Sequence, residues 1–323
     1  MPTICSLSWQ VSALVPRPCT GCWCRDAQSR YEFPAHRRVP TVTVPAATVD
    51  TLLGCRPDDD GLRFEFGRHL HGAFGGAFGG GVAAAAIRAA RTVAPDRLPA
   101  SLDVRFLRGL GAGSAHARPT VLRAGRSLTT VSVDIADAAG RPAARATVGL
   151  TDAAALYTLD RPTATDMPPL VGYDAGTDWR APGDVEIPIL ATLHPRTVGS
   201  GPSWIATGLA LPWNGAEASA EAICLAADMC VGPPVAAACA DRWIPHPNPD
   251  LSLRFVGEVT GCELAAVGRL ERICGGLAVV GIAVWAADEI VGVGVSSSML
   301  QARSAHLPTG STETDPNRRT GDR

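Results

Sequence analysis

The sequence predicts an α+β protein in which an apolar helix followed by antiparallel strands occurs twice. Three observations carry this expectation. A glycine-dense run, His71-Gly72-Ala73-Phe74-Gly75-Gly76-Ala77-Phe78-Gly79-Gly80-Gly81, opens directly into Val82-Ala83-Ala84-Ala85-Ala86-Ile87-Arg88-Ala89-Ala90. The latter is a strong helix former with small residues on nearly every face, and such a helix has to be wrapped by other structure. Strand-like segments with alternating apolar and polar residues follow it. After a stretch rich in Pro, Thr, Asp and Gly, the same helix-then-strands order returns, which is a duplication at the level of architecture.

Along the chain, residues 1–43 show no sustained periodicity and carry four of the ten cysteines, so an unstructured N-terminal extension is expected. Cys5, Cys19, Cys22 and Cys24 have a spacing that zinc can use, but a second pair and an apolar pattern to fold around it are missing. The plainer alternative is untranslated leader included by a wrong start codon, with the true start at Val39, Val42 or Val44. Residues 44–157 form the first patterned block. Leu62–Phe66 alternates apolar with charged residues and reads as a short strand. The helix is predicted near 79–92, and strands at Ala100–Arg108, His116–Leu122, Leu128–Ala136 and Ala143–Leu150. Asp137-Ala138-Ala139-Gly140 supplies the turn before the last of these. Residues 158–183 read as a linker.

The second block is 184–302. Strands are predicted at Val185–Leu193 and Trp204–Leu211, a helix from Glu217 to Val231, then strands at Leu251–Val256, Glu263–Ile273, Leu277–Trp285 and Ile290–Ser297. The tail 303–323 is polar and expected to be disordered.

Composition narrows the function classes. The formal net charge of -2 lacks the basic excess that marks nucleic-acid binding. All 29 basic side chains are arginine, so phosphates on a ligand would have to be held by arginine or by backbone N–H groups. No apolar run is read as reaching the roughly 18–20 residues that cross a bilayer, and no secretory signal is recognisable. A cytoplasmic protein with reduced cysteines, no membrane and no nucleic acid is the expectation.

One buried helix followed by an antiparallel meander is the hotdog arrangement, and the residues resemble the acyl-CoA thioesterase II group, whose members fuse two hotdogs. Three stretches carry the resemblance: Phe78-Gly79-Gly80 running into the alanine-rich helix; Leu122-Arg123-Ala124-Gly125-Arg126-Ser127; and Leu225-Ala226-Ala227-Asp228 with Pro249-Asp250-Leu251-Ser252-Leu253-Arg254-Phe255 after it. The resemblance covers roughly residues 60–300. It implies a tandem hotdog hydrolysing an acyl-CoA thioester to free acid and coenzyme A, without metal or redox cofactor, and further pairing as a homodimer.

In that family Asp, Thr and Gln of the second hotdog hold the attacking water. The aspartate falls on Asp228; Asn248 stands at the threonine position and Ser296 at the glutamine position. Phe78, Gly79, Gly80, Arg123 and Arg126 are the expected substrate-binding residues. Gly79 and Gly80, at a helix N-terminus, would present N–H groups to the thioester carbonyl opposite Asp228.

Plainer readings stand beside these. The glycines also serve tight packing, Asp228 also suits an exposed helix face, and Arg123 and Arg126 also suit a solvated turn. His71 reads as a loop residue and His246, in Pro245-His246-Pro247, as structural. The rival functions are a non-catalytic acyl-thioester binding or scaffold protein, kept open by Asn248 and Ser296, and a hotdog hydratase or dehydratase.

Overall fold

The computed structural model describes residues 48–157, 159, 167–180, 185–239 and 244–302. The expectations for residues 1–43, with Cys5, Cys19, Cys22 and Cys24, and for the tail 303–323 lie outside the described residues, as does part of the linker.

The first half runs α1 (Val49–Leu53), β1 (Arg56–Asp58), β2 (Gly61–Phe66), α2 (Gly79–Thr92), β3 (Leu98–Phe106), β4 (Gly113–Ala124), β5 (Leu128–Asp137) and β6 (Pro142–Thr151). The second half runs β7 (Thr177–Asp178), α3 (Pro188–Leu193), β8 (Arg196–Gly201), β9 (Trp204–Ala210), α4 (Ser219–Met229), α5 (Gly232–Ala238), β10 (Asp250–Phe255), β11 (Glu263–Cys274), β12 (Leu277–Ala286) and β13 (Glu289–Met299).

All the strands among the described residues join one antiparallel sheet in the order β1-β2-β4-β5-β6-β3-β10-β13-β12-β11-β9-β8-β7. The two halves meet at β3 and β10, where Leu251 lies opposite Val104 and Leu253 opposite Leu102. All four of these side chains are buried, so the junction is an apolar seam. On its other face Arg105 pairs with Asp250 at 2.5 Å and Arg254 with Asp103 at 3.2 Å. These exposed pairs help set register more than they stabilise.

α2 packs on β2 through β6, and α4 on β9 through β13. Ala83 to Ile87 of α2 are fully buried, as the apolar pattern requires. α2 and α4 also pack on each other. At Gly80 a side-chain Cβ would lie 2.8 Å from the Cys224 carbonyl oxygen and 3.0 Å from the Leu225 Cα, so the two backbones touch there. Only glycine permits that approach.

Two sequence expectations fail locally. Val185–Leu193 is not a strand: Pro188 occupies the first turn of α3, where its missing N–H is no loss, and the strand follows at β8. The helical stretch Gly215–Ala238, 24 residues spanning α4 and α5, is long and apolar enough by composition to cross a bilayer, contrary to the reading of the sequence. Its apolar window is 89% buried inside the protein, against the sheet and α2.

Candidate active site

The site grows from the place where the start of α2 meets the end of α4. Asp228 lies in the last turn of α4 and is 8% exposed. Its Oδ2 accepts the backbone N–H of Gly80 at 2.8 Å, and its Oδ1 accepts from Asn248 Nδ2 at 2.6 Å. Burial pushes the carboxyl up to about 6, against the opposing pull of the Gly80 N–H, the Asn248 amide and the Gly79 N–H. A Cβ on Gly79 would lie 3.0 Å from both carboxylate oxygens and from the tip of the Phe106 ring, so a side chain there would press on both.

Asn248 is held by its chain. Prolines at 245, 247 and 249 keep the segment extended. It is tied on one side by Phe106 N–H to Pro249 O (2.9 Å) and on the other by Met299 N–H to Pro247 O (2.9 Å). The end of β13 therefore runs beside Asn248.

Asp228 and Asn248 face a cavity of about 430 Å³. Phe78, Gly79, Val82 and Phe106 form one wall, and Met229, Val231 and Pro233 another. A third wall is Ile187, Ile189 and Leu190, at and just before α3. That short helix is tied to the glycine-rich loop: Ile189 N–H donates to His71 O at 3.0 Å, and Thr192 Oγ1 donates to His69 O at 2.9 Å.

An acid in an apolar wall beside open space is what a general base needs. The other buried acid among the described residues, Glu221 at the opposite end of α4, does not fit that description. It lines no part of this cavity and sits 3.5 Å from Arg91 and 3.8 Å from Arg88.

The remaining expected residues divide. Phe78, Gly79, Asp228 and Asn248 come together at the cavity, and Gly80 reaches it through its bond to Asp228. That bond corrects one expectation: the Gly80 N–H is spent on the carboxylate instead of being open to a substrate carbonyl. Arg123 and Arg126 are exposed where β4 turns into β5 and line no part of the cavity. Arg97 reaches the carbonyls of Gly125 and Arg126 there, so the turn is a structural one.

Ser296 is buried, but its hydroxyl donates to Asp250 O at 2.6 Å and it does not line the cavity. Two residues on, Ser298 does line it, is fully buried, and its Oγ meets no hydrogen-bond partner. His71 is not in the lining, and burial lowers its pKa. His246 is in the lining, with Nδ1 at 2.7 Å from Ile244 O, and burial lowers it as well.

Sequence reasoning did not single out Ser298, Arg108 or the α3 wall, all of which line the cavity. The run Ser296-Ser297-Ser298 was the available signal for the first, but alternation places 296 and 298 on the same face and cannot choose between them.

Residues 69–151 match the family model of the acyl-CoA thioesterase N-terminal domain. No curated protein matches the chain. Among solved structures, a thioesterase-named protein of Novosphingobium aromaticivorans is similar at 19% identity and TM-score 0.64, over 77% of this chain and 98% of that one. A hot dog fold protein of unknown function from Alicyclobacillus acidocaldarius shares 18% identity at TM-score 0.65, over 79% and 98% of the two chains. The acyl-CoA thioesterase II TesB2 of Mycobacterium marinum shares 17% at TM-score 0.63, over 80% and 100%. Likeness at these identities speaks for the fold. This chain is therefore a hotdog-fold protein whose residues 69–151 match the acyl-CoA thioesterase N-terminal domain family.

Proposed function

We propose that this protein is an acyl-CoA thioesterase built as two hotdogs, near 44–157 and 184–302, each sheet curled around its own helix, α2 or α4. The observation that carries the reading is the buried Asp228 carboxylate, held by Gly80 and Asn248 and facing an apolar cavity. Asp228 takes a proton from a water as the water oxygen attacks the thioester carbonyl carbon. The carbonyl π electrons move onto oxygen, giving a tetrahedral oxyanion. That intermediate collapses with cleavage of the C–S bond; the sulfur leaves as the coenzyme A thiolate and takes the proton held by Asp228, which restores the carboxylate, while the acyl group leaves as the acid. Asn248 keeps the carboxylate aimed, and its own side-chain oxygen remains available to the water. Ser298, with an uncommitted hydroxyl in the same cavity, supplies a donor to the oxyanion, a role that the Gly80 N–H cannot fill. No redox group enters these steps.

Incubation with a panel of acyl-CoAs and a thiol reagent tests the reading. Free thiol appears with a hydrolase, whereas a scaffold protein or a hydratase releases none. Because the base must be ionised, kcat/KM rises with pH through an apparent pKa near that of Asp228, about 6. A rate independent of pH between 5 and 8 would remove Asp228 from the role.

The two serines separate in a second measurement. Ser298→Ala removes a buried hydroxyl that has no partner, so the melting temperature holds or rises. At the same time kcat falls about 10- to 100-fold. Ser296→Ala breaks its bond to Asp250 O and costs about 1 kcal/mol of stability, with a smaller effect on kcat. Equal effects of the two variants on kcat would return the role to Ser296 or deny it to both.

A further inference from the structure

We propose that Arg108 and Phe74, on the rim of the cavity, form a subsite for the nucleotide end of coenzyme A, with Arg108 binding a phosphate. This rests on the acyl-CoA reading for the identity of the ligand, and on the rim itself for the chemistry. Among the described residues lining the cavity, the ionisable ones are Asp228, His246 and Arg108, and only Arg108 carries a fixed positive charge. The guanidinium is exposed and, among the described residues, faces no carboxylate within ion-pair distance. Its one hydrogen bond runs from Nη2 to Pro142 O at 2.5 Å. That bond orients the group and leaves most of its five N–H donors to solvent, in the planar array that suits phosphate.

Phe74, also in the lining, is 47% exposed, and its ring is tilted by 76° to that of His246 with centroids 6.1 Å apart. An exposed aromatic ring and an arginine that meets no carboxylate among the described residues, both lining one cavity, are the combination that takes a base and a phosphate together. The two residues come from loops that are fastened to each other. Ala77 N–H donates to Leu110 O at 2.7 Å, and a Cβ on Gly76 would lie 3.1 Å from the Gly109 Cα. The glycines bring the two backbones into contact, so Arg108 and Phe74 are carried on one rim. With the acid inside and the cation at the mouth, an anionic tail is favoured outside while the uncharged thioester end enters.

Calorimetric binding of coenzyme A, dephospho-coenzyme A and pantetheine tests this independently of turnover. The wild type is expected to bind coenzyme A about 10- to 100-fold more tightly than pantetheine, the range of a charge-assisted contact. In Arg108→Ala that gap closes to within about threefold, and in Phe74→Ala it narrows less. Rising salt shrinks the wild-type gap and has little left to shrink in Arg108→Ala. The double variant Arg123→Ala with Arg126→Ala keeps the gap. Dephospho-coenzyme A identifies the phosphate: an Arg108 effect that disappears with it assigns the 3′-phosphate, and one that persists assigns the diphosphate.

A gap that survives in Arg108→Ala, or collapses in the Arg123/Arg126 variant instead, overturns the subsite while leaving hydrolysis standing. A gap that depends on Arg108 in a protein that releases no thiol supports the subsite and removes the thioesterase reading.

Discussion

Asp228→Asn is expected to lower kcat on the best acyl-CoA substrate by about 10²–10⁴-fold, the range that a positioned general base contributes. The amide keeps the shape of the carboxylate and can still accept the Gly80 N–H, while Asn248 turns its own amide to accept from the new NH2 group. Binding of a non-hydrolysable acyl-CoA analogue therefore changes far less than turnover. Stability moves in the opposite sense. The folded pKa of Asp228 is raised from 3.8 to about 6, so the folded state favours the protonated form. The contribution is fully present below the unfolded pKa and is lost as pH rises through about 6, where a buried charge must be carried. A shift of this size corresponds to about 3 kcal/mol. Asp228→Asn is thus more stable than the wild type at pH 8, and the difference fades as the pH is lowered from 6 toward 4. Urea unfolding at the two ends of that range, together with a thiol-release assay, reads both halves. Wild-type turnover by the variant would end the case for Asp228 as base.

Gly80→Ala is expected to be the most damaging single methyl in the site. Its Cβ would meet the Phe78 ring at 2.7 Å, the Cys224 carbonyl oxygen at 2.8 Å and the Leu225 Cα at 3.0 Å. The ring can rotate, but the other two contacts are backbone of α4, which the sheet behind it holds in place. The helices must separate, at a cost of about 1–3 kcal/mol or more. For a chain of this size that is roughly 2–6 °C in melting temperature. Separation also draws the Gly80 N–H away from Asp228, so activity falls with stability. Gly111→Ala is the control: nothing lies within 4 Å of its Cβ position, and its melting temperature should match the wild type. If both variants melt alike, the helices are not in the backbone contact that the site depends on.

What was legible in the sequence follows local rules. The apolar helix at 82–90 announced its own burial, because small apolar residues on all faces have no solvated side to present. Alternation located most of the strands, since period two is a property of neighbouring residues. Asp228 was visible as an acid within Leu225-Ala226-Ala227-Asp228, and Asn248 through the family's threonine position, two residues before Asp250. Val185–Leu193 misled because a short apolar run suits strand and helix alike, and a proline at the first helical turn decided it.

The site itself was settled by contacts between distant residues, which no local pattern encodes. Gly80 and Asp228 are 148 residues apart, and their hydrogen bond exists because β3 and β10 pair and lay α2 against α4. That pairing turned a helix N-terminus, which by its sequence could have served a substrate carbonyl, into the support of the carboxylate. The same long-range geometry separated residues that look equivalent on paper. Ser296 and Ser298 share a face of β13, yet only the one beside Pro247 and Asn248 opens on the cavity. Arg123 and Arg126 flank a recognisable turn but stand away from the cavity, while Arg108, in no motif, reaches its rim. Composition and periodicity determined that helices would be buried in antiparallel sheet. Which side chains share the space between the two halves was left to the β3–β10 seam, because strand pairing and helix contact act across the whole length of the chain.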